Sequence, residues 1–182
     1  TKEKNLMAKQ KEQQKKVDQL NKEIEELISK QVRTTTTLTK EQQLIAGGFE
    51  ANQGRMPWPI EKGFISGYFG KHQHPIHEHV TIENKGIYLQ TVSGADARAI
   101  YEGEVTWCAQ MNGSYAVIVQ HGNYRSVYSQ LAKIYVKQGD KLQAKQAIGQ
   151  IQTDTSEDNK TELYFQIYKD RSILNPSLWL AQ

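Results

Sequence analysis

The chain has 182 residues, with 23 Lys and Arg against 20 Asp and Glu and a formal net charge of +3. That length allows one ordinary core plus an appendage, and the slight basic excess falls far short of a phosphate-neutralising face, so nucleic acid is not an expected partner. No apolar run approaches the roughly 18 residues that cross a bilayer, no secretion signal is visible, and the single Cys108 allows no internal disulfide and is expected as a small buried residue.

Residues 1–33 contain no Gly or Pro and are dominated by Lys, Glu and Gln, which predicts one helix. Val17, Leu20, Ile24 and Leu27 recur at spacings of 3, 4 and 3, the seam of a coiled coil, and Leu6 keeps the same register. Gln10, Gln13 and Gln31 also fall on that seam and weaken it. Two readings stay open: a solvated helix resting on the domain, or the end of a longer coiled-coil arm. The pattern begins in mid-helix, which leaves room for an upstream export signal or membrane anchor.

Residues 34–56 are expected as a linker. The β-branched run Thr34 to Thr37 disfavours continuation of the helix, and Thr39-Lys40-Glu41-Gln42 has the form of a capping box. A second short helix is therefore expected from Lys40 to about Ala46, ended by Gly47-Gly48. Extended backbone before Pro57 and Pro59 then opens a domain over residues 57–182.

Within it, short apolar runs broken by turn signals predict strands at Ile65–Phe69, Gly86–Val92, Ala97–Tyr101, Glu104–Ala109, Tyr115–Gln120, Arg125–Leu131, Ala147–Ile151 and Glu162–Tyr168. About eight strands without intervening helices predict a mainly β fold, an antiparallel sandwich or open barrel. In the last strand Leu163, Phe165 and Ile167 alternate with Glu162, Tyr164, Gln166 and Tyr168, so the first row is expected in the core and the second on display.

Nine pieces stand in order: Phe69-Gly70-x-x-x-His74-Pro75, Lys85-Gly86-Ile87, Ala99-x-x-x-Gly103-x-Val105, Val117-Ile118-Val119-x-His121-Gly122, Val127-Tyr128-x-x-Leu131, Val136-x-x-Gly139-Asp140, Ile148-Gly149, Leu163-x-Phe165 and Asn175-Pro176-x-x-Trp179-Leu180. This succession, from Pro57 to the end of the chain, resembles the LytM (lysostaphin-like) zinc metallopeptidase domain, of the duplicated hybrid motif type. Active members cut cell-wall peptides with one zinc, held by the His and Asp of an H-x-x-x-D segment and the second His of an H-x-H segment, with two further His assisting. Such a metal needs three N or O ligands and an open position for water. Asn84 and Tyr88 stand at the first segment, Glu162 and Tyr164 at the second, and Gln130 replaces the His after Tyr128. An amide and two phenols are poor zinc ligands at neutral pH. The resemblance therefore implies the fold without the catalysis: no metal, no cofactor, no catalytic residue.

With its helical arm, the chain resembles the murein hydrolase activators of the EnvC type. That likeness implies a non-catalytic activator of a peptidoglycan amidase (an N-acetylmuramoyl-L-alanine amidase) acting during division and daughter-cell separation in the bacterial periplasm or envelope. The implied docking groove comprises Lys85, Tyr88, Gln130, Glu162, Tyr164 and Tyr168, with Lys85 at its rim. An FtsEX-type membrane complex is implied as partner of the coiled coil, peptidoglycan itself as a further ligand, and the short helix and arm as a cover for the groove. A passive peptidoglycan-binding or scaffold module is the alternative; an active zinc endopeptidase ranks below both.

Three other features carry less. His72, His74, His77 and His79 form H-x-H-x-x-H-x-H around Pro75, a pattern able to take zinc or nickel but read here as surface histidines on a loop. His121 at a strand end is read as structural, because no Ser or Cys is tied to it by a motif. Residues 153–160 read as a solvated hairpin loop, since they lack the spaced ligands of a calcium loop.

Overall fold

The computed structural model of the protein describes residues 2–34, 37–73, 79, 81–156 and 158–182. The expectations placed on Thr35, Thr36, His74, Pro75, His77 and Glu157, and on the side chain of Leu6, lie outside the described residues. The chain forms two compact units, residues 1–36 and 37–182.

The first unit is a single helix, α1 (Lys2–Thr34), as the unbroken run of helix formers predicts. Gln14 Nε2 donates to Asp18 Oδ1 at 2.9 Å, one turn on, and the Thr34 hydroxyl turns back to the Lys30 and Gln31 carbonyls, satisfying the last turn.

The second unit opens with α2 (Lys40–Ala51). Its capping box forms as expected: the Gln42 N–H donates to Thr39 Oγ1 at 3.1 Å while the Thr39 N–H donates to Gln42 Oε1 at 3.0 Å. The expected stop at Gly47-Gly48 is corrected, since the helix runs through both glycines to Ala51. Phe49 supplies the reason, being fully buried in the core one helical turn beyond Ala46. Gly48 is kept as glycine by close approach, a Cβ there running into the Tyr101 hydroxyl. The stop comes instead at Asn52, whose side-chain amide donates back to the Gly48 carbonyl at 2.8 Å.

Thirteen strands follow among the described residues: β1 (Phe64–Gly67), β2 (Gly70–Gln73), β3 (Thr81–Asn84), β4 (Ile87–Thr91), β5 (Asp96–Arg98), β6 (Gly103–Met111), β7 (Ser114–His121), β8 (Tyr124–Ile134), β9 (Lys141–Leu142), β10 (Ala147–Ile151), β11 (Thr153–Asp154), β12 (Lys160–Lys169) and β13 (Ser172–Leu174). All named pairings are antiparallel. The main sheet runs β1-β4-β12-β8-β7-β6-β9, with β5, β10, β11 and β13 attached beside it, and β2 with β3 forms a separate hairpin. The fold is thus the mainly β, antiparallel, LytM-like architecture expected, with two helices before it. The strand expected over Ala97–Tyr101 stops at Arg98, because the next residues bend, Ile100 giving its N–H to the Tyr128 hydroxyl at 3.1 Å instead of to a ladder.

One face of the main sheet carries Ile87, Leu89, Val117, Val119, Tyr128, Leu131, Leu163, Phe165 and Ile167 into a continuous apolar core. Phe49 of α2 enters that core flat on Tyr124, ring centroids 4.7 Å apart, and Trp179 closes it from the C-terminal side. The two ends of the unit are joined by a parallel bridge between Met56 and Leu180 and by the Trp58 indole N–H, which donates to the Ala181 carbonyl at 2.7 Å.

Candidate functional site

Strand register brings the positions singled out in the sequence onto the other face of the same sheet. Tyr88 on β4 lies opposite Tyr164 on β12, and Tyr164 lies opposite Ser129 on β8. Residues directly opposite share a face, so these three make one row across three strands. The next rows pair Gln166 with Val127 and Tyr168 with Arg125, and the row on the other side pairs Glu162 with Gln90. The Tyr88 and Tyr164 rings are 4.7 Å apart at 32°. Gln130, beside Ser129, has a left-handed backbone with φ of 67° where the register of β8 slips against β7. Such a bulge re-aims side chains at the rim of a sheet. Asn84 closes β3 and donates its amide to the Tyr68 carbonyl at 2.9 Å. Lys85 is half-buried, and its carbonyl accepts from the Gln166 amide at 3.4 Å.

The expectation that this row is on display is corrected. Tyr164 and Gln166 are 0% exposed and Tyr168 is 1% exposed, although none of them belongs to the apolar core on the opposite face. Glu162 stays partly accessible; its Oε2 accepts from the Ser66 hydroxyl at 2.6 Å and lies 3.4 Å from the Lys160 ammonium. Arg125 is buried beneath Tyr168 in register; burial lowers its affinity for a proton, and Asp170 nearby partly restores it. Among the described residues the buried Ser129 hydroxyl has no hydrogen-bond partner. From the sequence, Arg125 stands out only as a strand end, Gln166 only in the row expected on display and Ser129 not at all, although the alternation of Arg125, Val127 and Ser129 along β8 carries the signal.

In active members of the family resembled above, a zinc is held at the positions that Asn84, Tyr88 and Tyr164 occupy here, with Glu162 and Gln130 at the assisting positions. The donors present do not fit one. The Asn84 amide is turned to a backbone carbonyl, the two phenol rings lie tilted against each other, and the one carboxylate is engaged by Ser66 and Lys160. A tetrahedral site needs three convergent imidazole, thiolate or carboxylate donors. Among the described residues there is no group of three or more His, Cys, Asp or Glu that could hold a metal ion. Of the four clustered histidines, His72 ends up in β2 and His79 in a turn, while His74 and His77 lie outside the described residues.

His121 is on the core face, as a structural reading expects, and it is more elaborately held than a lone histidine at a turn. Its Nδ1 is 2.7 Å from the Glu102 carbonyl and its Nε2 2.7 Å from Ser126 Oγ, which is 3.0 Å from the Tyr128 hydroxyl. Burial pushes His121 down to about 4 and Tyr128 up to about 12.

Comparison with known proteins places the fold. The chain is 32% identical over 137 residues to an uncharacterized protein of Neisseria meningitidis serogroup B, a match covering 74% of this chain but only 22% of that relative's length. A chain of the SpoIIIAH–SpoIIQ complex superposes with a TM-score of 0.57 at 25% identity, covering 67% of this chain and 97% of that one. LytU superposes with a TM-score of 0.51 at 26% identity, over 64% of this chain and 83% of that one. The family model "Peptidase family M23" matches residues 82–176, the stretch that carries β4, β8 and β12, and the chain belongs to that family.

Proposed function

We propose that this M23-type domain is a non-catalytic activator of a peptidoglycan amidase, which it engages through the Tyr88, Tyr164 and Tyr168 face of the main sheet with Lys85, Gln130 and Glu162 around it. The observation that carries the reading is the replacement of a convergent metal-ligand set by two phenol rings in tilted contact and a carboxylate tied to Ser66 and Lys160. An intact M23 frame without those donors is suited to binding: tyrosines offer apolar area and a hydroxyl at low entropic cost, the make-up of interface anchors. The SpoIIIAH–SpoIIQ relative was solved as a complex of two proteins, which supports protein partnering as a use of this fold.

Activation on this reading is a shift of population. An amidase held closed by a segment of its own opens when that segment binds this face better than it binds the amidase site. Because Tyr164 and Tyr168 are buried, the face must open for docking to occur. The coiled-coil character of residues 1–33 supports a lever joined through residues 34–56 to the domain at 57–182, with an FtsEX-type membrane complex at its far end and the periplasm of a dividing cell as the setting. A passive peptidoglycan-binding module is the second reading, supported by the same tyrosines, which stack on glycan as well as on peptide.

The test is turnover of purified peptidoglycan by a wall amidase with and without this protein, beside this protein alone in added zinc. The expected result is silence alone, stimulation of the amidase, and loss of stimulation in Tyr164→Ala with the fold retained by circular dichroism. Zinc-dependent cleavage by this protein alone overturns the reading, and cosedimentation with the wall without stimulation moves the assignment to the passive module.

A further inference from the structure

His121 is held at both ring nitrogens beneath α2. Its Nδ1 lies 2.7 Å from the Glu102 carbonyl, which can only accept, and its Nε2 lies 2.7 Å from Ser126 Oγ. The Ser126 hydroxyl donates to the Tyr128 oxygen at 3.0 Å, and that oxygen also accepts from the Ile100 N–H. All three side chains are buried.

A proton added to the ring places a cation in this buried pocket, which is costly without water. The groups around the ring do not offset the charge. Glu102 contributes only its backbone carbonyl, its side chain being exposed, and Arg125 of β8 adds like charge. On the helix side, α2 presents Phe49, while its Glu50 is directed to the Tyr124 hydroxyl together with Lys169 of β12. Tyr101 meets the ring edge-on at 6.3 Å.

The cover over this ring is α2. Phe49 lies flat on the His121 imidazole with centroids 4.8 Å apart, and it is the one buried side chain that the helix contributes. A further contact of α2 with this hairpin is a backbone approach at Gly122, where Ala46 and the Gln42 carbonyl come so near that a Cβ would sit 2.5 Å from them. Opening α2 is thus the movement that lets water reach the ring without breaking a sheet ladder.

We propose that His121 and its Ser126–Tyr128 chain form a proton-operated catch that keeps α2 seated on the β7–β8 hairpin, so that acidification releases α2 before the sheet unfolds. The buried polar chain, the lack of a carboxylate on the ring and the aromatic lid carry this, and it stands whether or not the amidase reading does. It makes α2, which follows directly on the residues leading from α1, the acid-sensitive joint of the chain.

The experiment is amide hydrogen exchange of the whole protein between pH 7 and 4, read as protection factors corrected for intrinsic exchange, together with the ring-nitrogen NMR titration of His121. The expected result is a loss of protection in Ile45 to Ala51 of at least tenfold across the His121 titration, with β7, β8 and β12 still protected, and no such loss in His121→Gln, whose amide can donate to Glu102. If α2 and the sheet lose protection together, if α2 opens while the wild-type ring remains neutral, or if His121→Gln opens over the same range, the catch does not exist. Should His121→Gln fail to fold, the coincidence of ring titration and α2 opening in the wild type decides alone.

Discussion

The main sheet has two buried faces built on different principles. On one, Leu163, Phe165 and Ile167 of β12 join an unbroken apolar cluster. On the other, Tyr164, Gln166 and Tyr168 of the same strand sit among Tyr88, Arg125 and Ser129, and none of them belongs to that cluster. Burial alone therefore does not mark a core. The first face is held mainly by contacts among aliphatic and aromatic groups. The second buries a guanidinium, a carboxamide and an unpartnered hydroxyl, a costly composition unless the face serves something beyond folding.

The sharpest way to break this comparison is to truncate one ring on each face. Phe165→Ala removes a fully buried ring packed on Tyr128 at 5.2 Å and is expected to cost about 3–5 kcal/mol, lowering the urea midpoint without a change in slope. Tyr164→Ala, equally buried, is expected to cost roughly half as much, because it loses the contact with the Tyr88 ring and no part of the apolar cluster. Equal losses would show that both faces are structural and would leave the docking proposal without its physical basis.

The same contrast explains how much was legible in the sequence. Ala147–Ile151 was bounded to the residue and β6, β7, β8 and β12 to within three, because a half-buried alternating strand writes its pleat into the sequence. β2, β3, β9, β11 and β13, at four residues or fewer, are too short to show a period. The composition of the Tyr164 face was legible, since alternation and the family likeness both point to it. Its burial was not, because alternation says which residues share a face and nothing about what lies on it. The end of α2 was missed because Gly47-Gly48 reads as a stop, whereas Phe49 in the core outweighs the local cost of two helical glycines, about 1 kcal/mol each.

His121 on the apolar face is open to a test by pH. The unfolded chain protonates His121 as the pH falls past about 6.5, while the folded chain holds it neutral down to about 4. Between those values the unfolded state binds more protons, so stability falls with falling pH, by up to about 3 kcal/mol near pH 4 with no further loss from this group below. His121→Gln is expected to flatten that limb of the stability curve measured by urea melts at pH 7, 5.5 and 4; an unaltered limb would trace the acid sensitivity to carboxylates.

Backbone fit between α2 and the hairpin is tested by comparing two glycines with left-handed backbones. Gly113 has φ of 87° and open space around its Cβ position, so Gly113→Ala bears backbone strain alone, about 1 kcal/mol. Gly122 has φ of 71° and Ala46 against it, so Gly122→Ala is expected to cost about 2 kcal/mol and to lower the protection of α2 as well. Equal costs would mean that α2 yields freely at this contact.

The smallest effect separates structure from recognition at the accessible edge of the polar face. Glu162 is bonded to Ser66 and paired with Lys160 at side-chain exposures of 17% and 38%, so Glu162→Gln removes a charge that solvent already screens in part. A carboxamide still accepts from Ser66, and the expected stability change is below about 1 kcal/mol, shrinking further in high salt. If the position is spent on folding, no other readout moves. If the face docks a partner, Glu162→Gln changes amidase stimulation while the urea midpoint stays in place, and Lys160→Gln, which leaves the carboxylate less neutralised, moves stimulation in the opposite direction. A pair of variants that shift stimulation in opposite senses at constant stability assigns the carboxylate to recognition, since a merely structural ion pair would respond alike to losing either partner.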